Sequence, residues 1–197
     1  MYDFWNARYA ENEYAYGEEP NNYLKRELLK LKPGKILLPA EGEGRNAVFA
    51  AKMGWEVTAF DASIEGKMKA GKLAAKHGVL IQYDLSSFEN FTSKENMFDC
   101  IGFTFAHMPP MLRNKVHQKA INWLKPGGTV ILQAFSKAQI NEKSGGPGDI
   151  SMLFSEEELR ADFEKLSNLN IFSEEIILNE GKYHHGKAQV INLTGIK

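Results

Sequence analysis

The residues whose types and spacing promise chemistry lie in one loop, Ala40-Glu41-Gly42-Glu43-Gly44, and at Asp61. Glycines at alternate positions let backbone N–H groups approach a ligand, and a carboxylate at the end of the next strand accepts hydrogen bonds from ribose hydroxyls. The strict G-x-G-x-x-G spacing is absent, because Ala40 stands before Gly42 and Ala47 after Gly44 where that pattern wants glycine. A nicotinamide dinucleotide is thereby demoted as the ligand. Two further acids flank strand ends. Asp84 follows the third predicted strand, on the side where open α/β sheets bind ligands, and its carboxylate or the backbone beside Leu85 suits an adenine amino group. Asp99 starts the fourth strand at the opposite edge and reads as a structural turn or cap.

Among the histidines, His107 follows the fourth strand and is the best-placed candidate base. His184 and His185 adjoin a predicted hairpin; neither cysteines nor carboxylates accompany them at ligand spacing, and no metal is expected. His77 and His117 fall in helices and read as surface residues. Cys100 belongs to an apolar strand and reads as buried filler rather than a nucleophile.

Positioning these side chains requires strands that alternate with helices, and the apolar pattern supplies them. Residues 20–31 predict a helix with Pro20 at its start and Tyr23, Leu24, Leu28 and Leu31 on one face. A strand over 35–38 follows, then a helix over 46–53 whose alanines permit close packing on a sheet, a strand over 56–60 and a helix over 64–77. The third strand is expected at 79–83, the fourth at 98–103, a helix at 116–124 and a fifth strand at 129–134, after a turn at Lys125-Pro126-Gly127-Gly128. Residues 141–149 read as a loop. Ser155 and Glu158 form a capping box for the next helix, and 171–178 with 188–194 read as a closing hairpin. The alternation predicts an α/β domain with a mainly parallel sheet.

Several of these segments together resemble the class I S-adenosylmethionine (SAM)-dependent methyltransferases over nearly the whole chain. They are Gly42-Glu43-Gly44-Arg45-Asn46-Ala47, Val57-Thr58-Ala59-Phe60-Asp61, Phe98-Asp99-Cys100-Ile101 and Leu124-Lys125-Pro126-Gly127-Gly128. Trp5-Asn6-Ala7-Arg8-Tyr9, Tyr16-Gly17-x-x-Pro20-Asn21 and Glu180-Gly181-x-x-His184 are similar to the tellurite-resistance and thiopurine methyltransferase branch. The resemblance implies a Rossmann-like three-layer sandwich, with a seven-stranded, mainly parallel sheet whose last strand is antiparallel. It also implies SAM as cofactor: Gly42 and Gly44 near its methionine part, Asp61 on the ribose, Asp84 and Leu85 around the adenine, and residues 103–107, from Phe103 to His107, beside the sulfonium. Ala40, Glu41, Asn46 and Ala62 complete the candidate cofactor set.

The first motif departs from the family's pattern. Leu38 stands where an acid is usual, and Ala40 where the first glycine is usual. Alanine disfavours positive φ, a penalty of about 1 kcal/mol if the backbone requires that angle. Glu41 either supplies the missing carboxylate to the cofactor's amino group or faces solvent.

Tyr2, Phe4, Trp5, Tyr9, Tyr14 and Tyr16 crowd the first 19 residues. They read as a short helix packed on the body or, as the resemblance favours, as a lid that keeps water out. Ser144-Gly145-Gly146-Pro147-Gly148 would form a second wall.

The 197 residues fit a single domain over 1–197, and 43% hydrophobic with 25% charged residues is ordinary globular composition. With 24 basic and 25 acidic side chains, no electrostatic pull toward nucleic acid or membrane is expected. The lone cysteine forms no internal disulfide, and neither a leader nor a membrane span is read, so a cytoplasmic chain is expected. The oligomeric state has no sequence signal. The function expected is methyl transfer from SAM to a small-molecule acceptor, a thiol or chalcogen compound. Non-catalytic SAM sensing with a degenerate first motif is the alternative, and an NAD-dependent oxidoreductase ranks third.

Overall fold

The computed structural model describes residues 2–197. Seven strands form one sheet in the order β3-β2-β1-β4-β5-β7-β6. They are β1 (Lys35–Pro39), β2 (Glu56–Asp61), β3 (Gln82–Leu85), β4 (Phe98–Thr104), β5 (Leu124–Phe135), β6 (Ser167–Glu180) and β7 (His184–Ile196). β1 to β5 pair in parallel, and β7 runs antiparallel to both β5 and β6. The helices are α1 (Tyr2–Tyr9), α2 (Asn22–Leu28), α3 (Arg45–Lys52), α4 (Ile64–Lys76), α5 (Pro110–Trp123) and α6 (Glu156–Asp162).

Strand periodicity builds the three layers. Along β1, Ile36 and Leu38 join Tyr23, Leu24 and Leu28 of α2 and the alanines of α3. Leu37 instead joins Ile101 and Phe103 of β4, with Val116, Ala120 and Ile121 of α5 and Leu159 of α6. Neighbouring residues of a strand point to opposite faces, so one apolar strand buries two helical layers at once. Cys100 is buried in the first of these cores, as its apolar strand predicts.

Local differences from the sequence expectations have local causes. The third strand starts at Gln82 because Val79 closes the end of α4: its N–H donates to the Ala74 carbonyl at 3.0 Å after Gly78 at φ +65°. Asp84 therefore lies inside β3, paired with Phe60, rather than after it. α2 begins after Pro20, with Asn21 as its cap accepting from the Leu24 N–H at 2.9 Å, and its last residues tighten into i→i+3 turns, Lys30 to Glu27 and Leu31 to Leu28. α5 starts earlier than its apolar pattern, at Pro110, whose fixed φ suits a first helical position. The Lys125–Gly128 turn is a bulge in β5, opposite Asp99, whose carboxylate accepts from Lys35 N and Lys125 Nζ. The capping box forms as expected, Ser155 Oγ accepting from Glu158 N and Glu158 Oε2 from Ser155 N.

β1 lies between β2 and β4, so the chain leaves its carboxyl end in opposite directions. Such a switch point opens a crevice where ligands bind.

Candidate functional site

At that switch point the loop after β1 folds back sharply, with Ala40 at φ +51°, Gly42 at +61° and Gly44 at +89°. Asp61, at the end of β2, holds the loop: Oδ2 accepts from Gly42 N at 3.1 Å and Oδ1 from Ser63 N at 2.8 Å. Burial pushes its carboxyl above the usual value, and these backbone N–H groups oppose the rise. A side chain at Gly42 would place its Cβ 2.6 Å from Tyr9 Oη. Gly44 instead presses on α4, where a Cβ would fall 2.6 Å from that of Ala70.

Gly44 is the N-cap of α3 and has no side chain to offer. Glu41 takes over: Oε1 accepts from Ala47 N at 2.7 Å and Oε2 from Asn46 Nδ2 at 3.3 Å. The carboxylate is buried, which pushes it up to about 7 against the donors from α3, and it forms part of a cavity wall.

The aromatic N-terminal segment roofs this cavity. Helix α1 lays Tyr9 on Gly42 and stacks Trp5 on Tyr9 at 5.5 Å. Asn6 Oδ1 accepts from Ser63 Oγ at 2.6 Å. Farther along, Ala15 N donates to Glu43 Oε2, and Lys69 Nζ ties Glu43 to the carbonyls of Glu11 and Glu13. Arg8 lines the cavity among aromatic rings, 4.1 Å from the Tyr183 centroid and 4.5 Å from that of Phe4, and donates to Tyr16 Oη at 2.9 Å. No carboxylate pairs with it among the described residues. Short helix and roof are thus one structure; Met1 and the Tyr2 side chain lie outside the described residues. The enclosed volume is about 540 Å³, within the range of about 300–1,000 Å³ common for small-molecule sites.

A family model described as "methyltransferase domain" matches residues 36–128, the stretch from β1 to the start of β5. Over that stretch the chain is similar to methyltransferase domains. Solved structures agree on the fold across 89–100% of the chain. One, reported for the conversion of a disulfide bond into a thioacetal group during echinomycin biosynthesis, superposes with TM-score 0.79 at 17% identity, covering 100% of this chain and 91% of that one. TehB from Haemophilus influenzae gives 0.72 at 18% identity, covering 100% and 66%. The PH0226 protein from Pyrococcus horikoshii OT3 gives 0.68 at 18%, covering 89% and 88%. No curated protein sequence matches. The cofactor these findings indicate is SAM.

The cavity fits that cofactor chemically. Glu41 offers a carboxylate to an ammonium, Asp61 an acceptor to ribose hydroxyls, Arg8 a cation to a carboxylate, and Phe60, Ala62 and Phe88 an apolar berth for a purine. Of the residues singled out in the sequence, Ala40, Glu41, Gly42, Asn46, Asp61, Ala62 and His107 line the cavity. Gly44, Asp84, Leu85 and Phe103 do not. Gly44 is taken up by its contact with Ala70, Asp84 sits within the edge strand, Leu85 is half exposed, and Phe103 is buried in the core beneath α5. Residues 86–89 form the wall where Asp84 and Leu85 were expected, because β3 runs farther than its apolar pattern.

His107 reaches the cavity but has no free nitrogen. Nδ1 meets the Met152 carbonyl at 2.8 Å, and Nε2 accepts from Phe135 N at 3.1 Å. That pattern fixes a neutral Nδ1–H tautomer, and burial holds the ring down at about 4. It braces the strand ends rather than moving protons. His117 is also not a surface residue: it is fully buried, with Nδ1 on Asp162 at 2.9 Å. His77, by contrast, is exposed at the end of α4.

Arg8, Tyr16 and His184 are lining residues that composition and motif reading left without a role in cofactor or acceptor binding. The spacing of Trp5, Arg8 and Tyr9 on one helical turn is the signal for the first, since it puts a cation among rings.

Proposed function

We propose that this protein transfers the methyl group of SAM to a small-molecule acceptor, a thiol or chalcogen compound. The observation that carries the reading is the pairing of Glu41 and Asp61 across the loop after β1, two buried carboxylates in the wall of one cavity.

When bound, SAM supplies an already activated methyl group. What remains for the protein is alignment and exclusion of water. Asp61 would hold the ribose while fixing Gly42, Glu41 would receive the amino group while capping α3, and Arg8 would pair with the methionine carboxylate. The roof of Trp5, Tyr9 and Tyr16 keeps water from the reacting atoms. The remaining wall, formed by Phe105, Met108, Pro109, Leu112, Phe135 and Met152, is apolar and suits a soft, weakly hydrated acceptor. The sulfur chemistry reported for the first structural neighbour agrees with such an acceptor. No helix among the described residues is long and apolar enough to cross a membrane.

Calorimetric titration with SAM and S-adenosylhomocysteine, with NAD as control, followed by a screen of thiols and chalcogen oxyanions, tests the reading. Saturable binding of both adenosyl ligands and turnover of an acceptor are expected. Binding without turnover on any acceptor would leave the non-catalytic sensor, and no binding by the folded protein would overturn both.

A further inference from the structure

A second histidine stands in the cavity with its reactive edge open. His184, the first residue of β7, is 5% exposed and lines the cavity. Its Nδ1 lies 3.3 Å from Glu180 Oε2 across the β6–β7 turn. Glu180 is itself held from behind, by Arg45 Nη2 at 2.8 Å and Asn21 Nδ2 at 3.3 Å. A carboxylate so anchored fixes the imidazole as the Nδ1–H tautomer and leaves the Nε2 lone pair bare. Among the described residues Nε2 makes no hydrogen bond, and it is not among the sealed, unpartnered atoms of the interior. His107 has the opposite arrangement, with both nitrogens spent on backbone.

The surroundings of the ring are built to hold it there. Tyr16, Phe105 and Phe135 enclose it at centroid distances of 4.3, 4.6 and 5.3 Å. Phe105 presents its ring from a left-handed backbone, φ +49°, a strained conformation for an aromatic residue that packing must sustain. Gly145 passes so close that a Cβ there would lie 2.7 Å from Cδ2 and 3.2 Å from Nε2. Any side chain at that position would crowd the open edge.

We propose that His184 is the proton acceptor of the methyl-acceptor subsite, held in its tautomer by Glu180 as a positioning residue, and that this subsite takes a small apolar molecule bearing an S–H or O–H group. This rests on the methyltransferase reading and narrows it: a chalcogen oxyanion arrives without a proton to lose, whereas a thiol or a phenolic hydroxyl needs a base. The acceptor atom gains the methyl group, the electron pair of the broken S–CH3 bond stays on the cofactor's sulfur, and the acceptor's proton passes to Nε2. The resulting imidazolium faces the Glu180 carboxylate. Burial holds His184 below its usual value, with Arg45 and Arg8 adding to the effect and Glu180 opposing it, so the ring is neutral and ready to accept near neutral pH. Tyr16 from the roof and His107 from beyond Phe135 are the other titratable groups on that side.

The test begins without cofactor. 4-Nitrophenol and 4-nitrobenzenethiol change colour on ionisation, so each is bound to the purified protein at a pH below its own ionisation and read spectroscopically; the two arms separate O–H from S–H acceptors. At least one is expected to bind as its anion, and His184→Gln should return it to the protonated colour. Nitrogen NMR of the free protein should show His184 with Nδ1 protonated and Nε2 bare, and Glu180→Gln should disturb that tautomer. With SAM present, His184→Gln should lower kcat/KM for the ionisable acceptor about 100-fold or more, and cofactor binding by calorimetry should persist, which reports that the variant folds. Neither probe binding, binding in the protonated form, or an anion band unchanged in His184→Gln would overturn the proposal. Failure of SAM to bind would instead overturn the methyltransferase reading, and the dye and NMR results would still report on His184.

Discussion

Asp61 Oδ2 accepts the Gly42 N–H at 3.1 Å, so the acid at the end of β2 fastens the loop that leaves β1. One carboxylate therefore fastens the loop and lines the cavity. Asp61→Ala should leave the Gly42 and Ser63 donors buried without partners, costing about 1–3 kcal/mol of stability. It should also weaken SAM binding by about 10- to 100-fold, the loss of one or two charge-assisted hydrogen bonds. Calorimetry on the folded variant decides: unchanged affinity removes Asp61 from the cofactor's binding set.

Glu41 links stability to pH with an unusual sign. Burial raises its carboxyl from 4.5 to about 7, so within that window the folded chain keeps a proton that the unfolded chain has released. The contribution is complete below the unfolded value and is lost as pH rises through the folded one, on the order of 3 kcal/mol across the window. Glu41→Gln keeps an acceptor for Ala47 N and removes the ionisation, so its urea midpoint should lack this slope. A cofactor ammonium beside Glu41 would favour the carboxylate. SAM binding near pH 7 should then release a proton, read as buffer-dependent heat, and the Gln variant should release none.

Ala40 adopts φ +51°, the conformation for which a glycine is usual in this loop. The alanine bears the steric cost of a left-handed backbone. Ala40→Gly should raise stability by about 0.5–1 kcal/mol, relief of the Cβ contact outweighing the extra entropy of the unfolded chain. A shift in denaturation midpoint with unchanged slope is the expected result. A loss of stability would mean that the methyl group packs usefully against Phe60 and its neighbours in the larger core.

The legible parts of this molecule were those that local rules write directly. Alternating apolar runs and helical spacing specify the α/β order, and Asp61 follows from its place at the end of β2. The glycines were half legible: Gly42 lines the cavity, but Gly44 is required by Ala70, a contact across 26 residues of chain that no local pattern contains. Asp84 was misplaced because Val79 caps α4 and pushes β3 onward. Of the two sequence readings of Glu41, burial removes the solvent-facing one, since a loop glutamate reads the same whether it faces water or lies beneath a helix. His107 and His184 differ in what their nitrogens meet, Phe135 and Met152 backbone for one and Glu180 for the other. That difference exists only after the strands pair.

His117 is the furthest from its sequence reading, and its surroundings carry the last prediction. It lies fully buried between Phe163, stacked at 4.6 Å, and Phe103. Asp162 accepts from its Nδ1 at 2.9 Å, from Arg113 Nε at 2.8 Å and from Asn114 Nδ2 at 2.9 Å. Burial pushes Asp162 up, but these donors outweigh it and hold the carboxyl at about 2, down from 3.8. Its contribution is thus present above the unfolded value and is lost as pH falls through the folded one, about 2 kcal/mol in all. Removing the carboxylate is worse than protonating it, because Arg113 then remains buried with only Glu158 at 3.5 Å to face it. Asp162→Ala should therefore cost about 3–5 kcal/mol, against about 1–2 kcal/mol for Asn114→Ala, which removes one donor from the rim of the cluster. Urea denaturation of both variants measures the difference; equal, small losses would show that the cluster contributes packing and little electrostatics.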